Sequence, residues 1–98
     1  MPYAIQSVIG PDHDRIVAGN RTAHLEYLDA NVGKLLAAGA LLGPDKKTRC
    51  GNIIIVNTES EAEARSFIEN DPFCKAGLFS SYTVTYWRKT YFNFERKE

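Results

Sequence analysis

Apolar and polar residues alternate from Tyr3 to Ile9, with Tyr3, Ile5, Ser7 and Ile9 on one face and Ala4, Gln6 and Val8 on the other. This period of two predicts a strand, which Gly10-Pro11 ends. The period then changes. Asp12 and Asp14 supply carboxylates for a helix start, and Ile16, Val17, Leu25, Leu28 and Val32 recur at steps of three and four. Gly19-Asn20 is expected to break this helical stretch into two pieces. Leu35 to Leu42 is apolar, short and flanked by Gly33 and Gly43-Pro44, which predicts a second strand. A polar, basic loop, Pro44-Asp45-Lys46-Lys47-Thr48-Arg49, leads into Gly51-Asn52-Ile53-Ile54-Ile55-Val56-Asn57, a strand rich in β-branched residues. Ser60 with Glu63 has the spacing of a capping box, opening a helix whose buried stripe is Ala64, Phe67 and Ile68 and which Asp71-Pro72 closes. An acceptor side chain before a proline, with Gly77 one turn later, predicts a short capped turn. Phe79 to Arg88 alternates as the last strand, and residues 89–98 form a polar and aromatic tail.

The order βαββαβ is the ferredoxin-like, split-βαβ arrangement: an α+β fold with an antiparallel four-stranded sheet and both helices on one face. The chain is expected to be one domain over residues 1–98, with 89–98 as its C-terminal tail. The sheet face away from the helices is expected to carry apolar side chains from Ile54, Val56, Tyr82 and Val84 or their neighbours, with no element left to cover it. A homodimer would cover it, and the tail is expected to pack across that interface.

Twelve basic residues balance twelve acidic ones, and 44% of the 98 residues are hydrophobic, which excludes intrinsic disorder and a polyanion-coating protein. Cys50 and Cys74 stand 24 apart with no CxxC and no cysteine-histidine cluster, so both are expected to be free thiols and no metal site is expected. No signal-peptide pattern opens the chain and no apolar run is long enough for a membrane span, so a cytoplasmic protein without a membrane partner is expected. An RNA-recognition domain shares this strand order, but its third strand should carry aromatic residues where this one reads Gly51-Asn52-Ile53-Ile54-Ile55-Val56, so no nucleic-acid partner is expected.

Two residues stand out as candidate chemistry. His24 shares a helical stripe with Val17, Arg21 and Leu28, so it faces the sheet edge; it is either a hydrogen-bonded histidine at the core margin or a general acid or base. Asp71 is either the N-cap of the turn beginning at Pro72 or a carboxylate that orients His24, if the second helix brings it to the same edge. Among the aromatic residues Tyr3, Phe73, Phe79, Tyr82 and Trp87, the expected substrate contacts are Phe73, Phe79 and Tyr82, with Arg21 as an anion contact and Arg88 as a weaker candidate.

The segments Arg21-Thr22-Ala23-His24-Leu25, Gly33-Lys34-Leu35-Leu36-Ala37-Ala38-Gly39, Ser60-x-x-Glu63-Ala64 and Asp71-Pro72-Phe73-Cys74-Lys75-Ala76-Gly77-Leu78 resemble, in this order, the YCII-related (YciI-like) domain family. The resemblance spans nearly the whole chain. It implies a dimeric α+β barrel and a paired His and Asp in a pocket between helix and sheet, at positions that fall on His24 and Asp71. One departure is Ala40, where the family commonly has proline in the pocket wall. The chemical precedent implied is elimination of chloride from a chlorinated hydroxyquinol in aromatic degradation, by a lyase or isomerase that uses no cofactor. The chain has no GxGxxG, GxxxxGK[ST] or HExxH motif. A non-catalytic ligand-binding or assembly module is the alternative, since this fold hosts many functions.

Overall fold

The computed structural model describes residues 2–98. Strand β1 (Tyr3–Ile9) leads to helix α1 (His13–Ala30), strand β2 (Leu35–Leu42) and strand β3 (Arg49–Val56); helix α2 (Glu61–Glu69), the single turn α3 (Pro72–Lys75) and strand β4 (Phe79–Tyr86) follow. The four strands form one antiparallel sheet in the order β2-β3-β1-β4, the ferredoxin-like α+β topology.

Cross-strand register decides which side chains meet. Ile5 lies between Ile54 and Val84, and Tyr3 between Val56 and Tyr86, so these residues share the helix-covered face. Ile5, Ile54 and Val56 pack there with Phe67 and Ile68 of α2, joined by Tyr27, Leu28, Tyr82 and Val84. Of the two sets expected on the open face, Ile54, Val56, Tyr82 and Val84 are therefore excluded, and it is their neighbours that lie there. The neighbours Ile53 and Ile55 occupy that face, opposite Gln6 and Ala4 of β1, whose far-side partners are Thr83 and Thr85. The open face is apolar on its β3 side and polar on β4.

Helix α1 is continuous, contrary to the break expected at Gly19-Asn20. A mid-helix glycine costs only about 1 kcal/mol relative to alanine, and Asn20 Nδ2 donates to the Ile16 carbonyl one turn back, at 2.9 Å, so its side chain does not compete for a turn. The expected stripe is also narrower than predicted: Ile16 and His24 are the buried residues of α1, whereas Leu25 and Val32 are exposed. In α2 the stripe Ala64, Phe67 and Ile68 is buried as the sequence predicts. Half of the capping box forms: Ser60 Oγ accepts from Glu63 N–H, while Ser60 N–H is satisfied by Thr58 Oγ1. Tyr27 OH donates to the Phe67 carbonyl at 2.7 Å, tying α1 to an otherwise orphaned C-terminal carbonyl of α2.

Two glycines are required. Gly77 has φ +83° just past α3, where Leu78 N–H returns to the Phe73 carbonyl. A Cβ on Gly51 would stand 2.3 Å from the Ser7 carbonyl oxygen, so only glycine lets β1 and β3 approach there. The tail is more ordered than its composition suggests: β5 (Tyr91–Phe92) and β6 (Glu95–Arg96) form a small hairpin turning at Asn93 and Phe94, both left-handed, the φ signature of a type I′ turn. No helix among the described residues is long and apolar enough to cross a membrane.

Candidate active site

Between helix α1 and β2 the side chains of Ala38, Gly39 and Ala40 fill little space, none being larger than a methyl. A cavity of about 170 Å³ remains between them, walled by Arg21, His24, Leu25 and Leu28 of α1, by Arg49, Asn52 and Ile54 of β3, and by Phe73. A cavity of this order accepts one six-membered ring. Ala40, the departure from the family pattern, lies in its wall.

The sequence brings His24 and Asp71 here from positions 47 apart. His24 is inward-facing on α1, 7% exposed, and Asp71 caps α3 with no exposed surface. Asp71 Oδ1 accepts two hydrogen bonds, from Phe73 N–H at 2.9 Å and from His24 Nδ1 at 2.8 Å. Both readings of Asp71 thus hold at one oxygen: it is the helix cap and the partner of the imidazole. An ionised carboxylate only accepts, so the Nδ1 it faces carries the proton and the Nε2 lone pair is the basic atom. Among the described residues Nε2 has no hydrogen-bond partner in the protein. Phe73 fixes the ring plane by stacking on His24, with centroids 3.9 Å apart and planes 14° from parallel. Asp71 Oδ2 is buried and has no hydrogen-bond partner, a costly arrangement in a low-dielectric site. Its charge is felt nearby. Burial first, and Asp71 second, push both the Tyr27 phenol and the Cys74 thiol above their ordinary values.

Of the other expected contacts, Arg21 and Phe73 line the cavity. Phe79 does not: it packs against both parts of the core, the cluster that contains Ile5 and Ile54 and the cluster that contains Ile16 and Leu78. Tyr82 lies on β4 with its hydroxyl 3.3 Å from Glu69 Oε2, also outside the cavity. Arg88 is exposed beside Glu98 in the tail. Both cysteines are free, Cys50 exposed and Cys74 half-buried. Among the described residues no three His, Cys, Asp or Glu side chains are placed to share a metal ion.

Arg49 and Asn52 are cavity residues that sequence reasoning missed. Alternation through Asn52, Ile54 and Val56 assigns residue 49 to the opposite, open face. Pairing instead steps from Leu41↔Gly51 to Leu42↔Arg49, so Cys50 is an extra residue, and this bulge turns Arg49 onto the cavity face. The signal available in the sequence was the polar Asn52 inside an otherwise apolar strand.

A ferredoxin-like sheet with a buried His-Asp pair beside a ring-sized cavity is the arrangement expected of the YCII-related domains. The model of that family matches residues 1–88, and the chain belongs to it. Among solved structures, it is similar to a 5-chloro-2-hydroxyhydroquinone dehydrochlorinase from Burkholderia phenoliruptrix AC1100, in complex with 2,5-dihydroxybenzoquinone. The two are 37% identical with a TM-score of 0.79, over 90% of this chain and 94% of that one. No curated protein sequence matches.

Proposed function

We propose that this chain is a small cofactor-independent enzyme that acts on a quinol-type ring through His24 and Asp71, eliminating chloride from a chlorinated hydroxyquinol or isomerising a ring of the same kind. The observation that carries the reading is His24, held at Nδ1 by a buried carboxylate in the wall of a cavity the size of one ring, which leaves Nε2 as the ring nitrogen for a substrate. The similar dehydrochlorinase, which acts on such a ring, supports the choice of substrate class.

The chemistry balances with the groups present. His24 Nε2 accepts a proton from a ring hydroxyl while Asp71 stabilises the imidazolium that forms. In the keto form of the ring, the carbon bearing chlorine has gained a proton. The electron pair of the ionised oxygen then forms a carbonyl, the adjacent double bond shifts, and the carbon–chlorine bond breaks with its pair leaving on chloride. One proton and one chloride are lost. Two hydroxyl-bearing carbons reach the quinone level as the chlorine-bearing carbon is reduced to C–H, so no outside oxidant enters.

The same reading includes a homodimer formed through the open sheet face, with the tail packing across the interface. Ile53 and Ile55 on that face support it, as does an exposed surface of 6214 Å², about a tenth above the roughly 5,600 Å² of a compact monomer of this mass. Sedimentation at micromolar concentration tests it, and a stable 11.0 kDa monomer would overturn it.

The experiment for the activity is steady-state turnover of chlorinated hydroxyquinols, quinols and muconolactones by the wild type and His24→Ala. The variant should lose on the order of 10² to 10⁴ in rate while keeping its circular dichroism spectrum. Tight binding of a ring with no turnover of any panel member would identify a binding module instead.

A further inference from the structure

The cavity has one base and a surplus of donors. Its wall contains two guanidiniums, Arg21 and Arg49, and no carboxylate. Among the described residues the arginine ion pairs belong to Arg15, Arg65 and Arg88; Arg21 and Arg49 have none. Arg49 is nevertheless held in place. Its Nη1 donates to Asn52 Oδ1 at 3.1 Å, and its Cζ lies 5.9 Å from the centroid of Phe73, the ring that also supports His24. The hydrogen bond fixes the Asn52 amide as well. With Oδ1 engaged, the polar group that Asn52, 4% exposed, offers the cavity is its Nδ2 donor pair. The bulge at Cys50 exists at the one place that brings Arg49 to this side of the sheet, and bulges beside active sites commonly serve to re-aim a side chain.

We propose that Arg49 and Asn52 form an oxyanion-binding subsite in the cavity that His24 serves, so that the site selects rings bearing an ionised or ionising oxygen, such as enolates and hydroxyquinone anions. This deepens the acid-base reading and rests on it for the catalytic role. When His24 Nε2 removes the proton from a ring hydroxyl, the electron pair of the O–H bond stays on oxygen. The guanidinium of Arg49 and the amide of Asn52 donate to that oxygen, where charge develops. The ring then holds its negative charge among N–H donors fixed before it binds, on a shared aromatic support.

The test compares two probes of the same ring by calorimetry: 2,5-dihydroxybenzoquinone, ionised at neutral pH, and 2,5-dimethoxybenzoquinone, which cannot ionise. Wild type should prefer the ionised ring. Arg49→Leu should weaken its binding about tenfold or more, as expected for loss of a hydrogen bond to a charged group, and should change binding of the dimethoxy ring less than threefold. Arg49→Lys, which keeps the charge without the fork, should recover part of the preference, and Asn52→Leu should reduce it. Circular dichroism reports folding of each variant. Equal losses for both probes, an unchanged affinity of Arg49→Leu for the ionised ring, or failure of wild type to bind it would overturn the proposal. Failure of the enzymatic reading looks different: the Arg49-dependent preference would persist while no chlorinated quinol is turned over.

Discussion

Replacing Asp71 by asparagine separates its two roles, because the amide is nearly isosteric and can keep one of them. An oxygen at the Oδ1 position still accepts from Phe73 N–H and from His24 Nδ1, so the cap of α3 and the ring orientation survive. The amide nitrogen then occupies the place of Oδ2, which has no hydrogen-bond partner. A buried donor left unpaired costs about 1–3 kcal/mol, partly offset because a buried charge is removed. Net destabilisation should stay below about 3 kcal/mol, leaving the protein folded at 25 °C within an ordinary margin of about 5–15 kcal/mol. The rate should suffer far more. The imidazolium formed when Nε2 takes a proton loses its carboxylate, and turnover should fall on the order of 10² to 10⁴. The assay is release of chloride and formation of quinone from 5-chloro-2-hydroxyhydroquinone. It is paired with calorimetric binding of 2,5-dihydroxybenzoquinone and with the ¹⁵N shifts of His24, which report the tautomer. A positioning role predicts a lower kcat with ligand affinity changed less than threefold. Turnover within threefold of wild type would refute the reasoning and leave Asp71 as a helix cap alone.

Gly51→Ala places a methyl against the backbone of β1 and should cost about 1–3 kcal/mol, read as a lower denaturation midpoint. The carboxyl of Asp45 is held down to about 2 by the hydroxyl and backbone N–H of Thr48 and the backbone N–H of Lys47. A depressed value means that folding favours the ionised form. Its support of the β2–β3 turn should therefore be complete above the ordinary carboxylate range and lost as pH falls toward 2, seen as a loss of amide protection at Lys47 and Thr48 relative to the intrinsic exchange rate at each pH. Burial and the charge of Asp71 keep the Cys74 thiol protonated, so Cys74→Ala should retain turnover within about threefold and the wild-type thiol should alkylate slowly; loss of activity in a folded variant would make it a nucleophile.

Local pattern was enough for most of the backbone. Alternation in 3–9 and 79–86 and the β-branched run of 53–56 are periodicities that neighbours impose directly, and the Ser60 and Asp71 caps are bonds between residues two or three apart. The helical phase of His24 was legible for the same reason. The continuity of α1 was not, because the penalty at Gly19 is small against the packing of the whole helix, which no local window contains. The chemistry depended most on what lies far apart in sequence. His24 and Asp71 are each ambiguous alone and become a pair only when α3 docks beside α1, 47 residues away. Arg49 faces the cavity because one extra residue in the β2–β3 pairing reverses the alternation that the strand's own sequence predicts. Which face a strand residue occupies is a property of its register with a partner strand, and that register is set by tertiary structure.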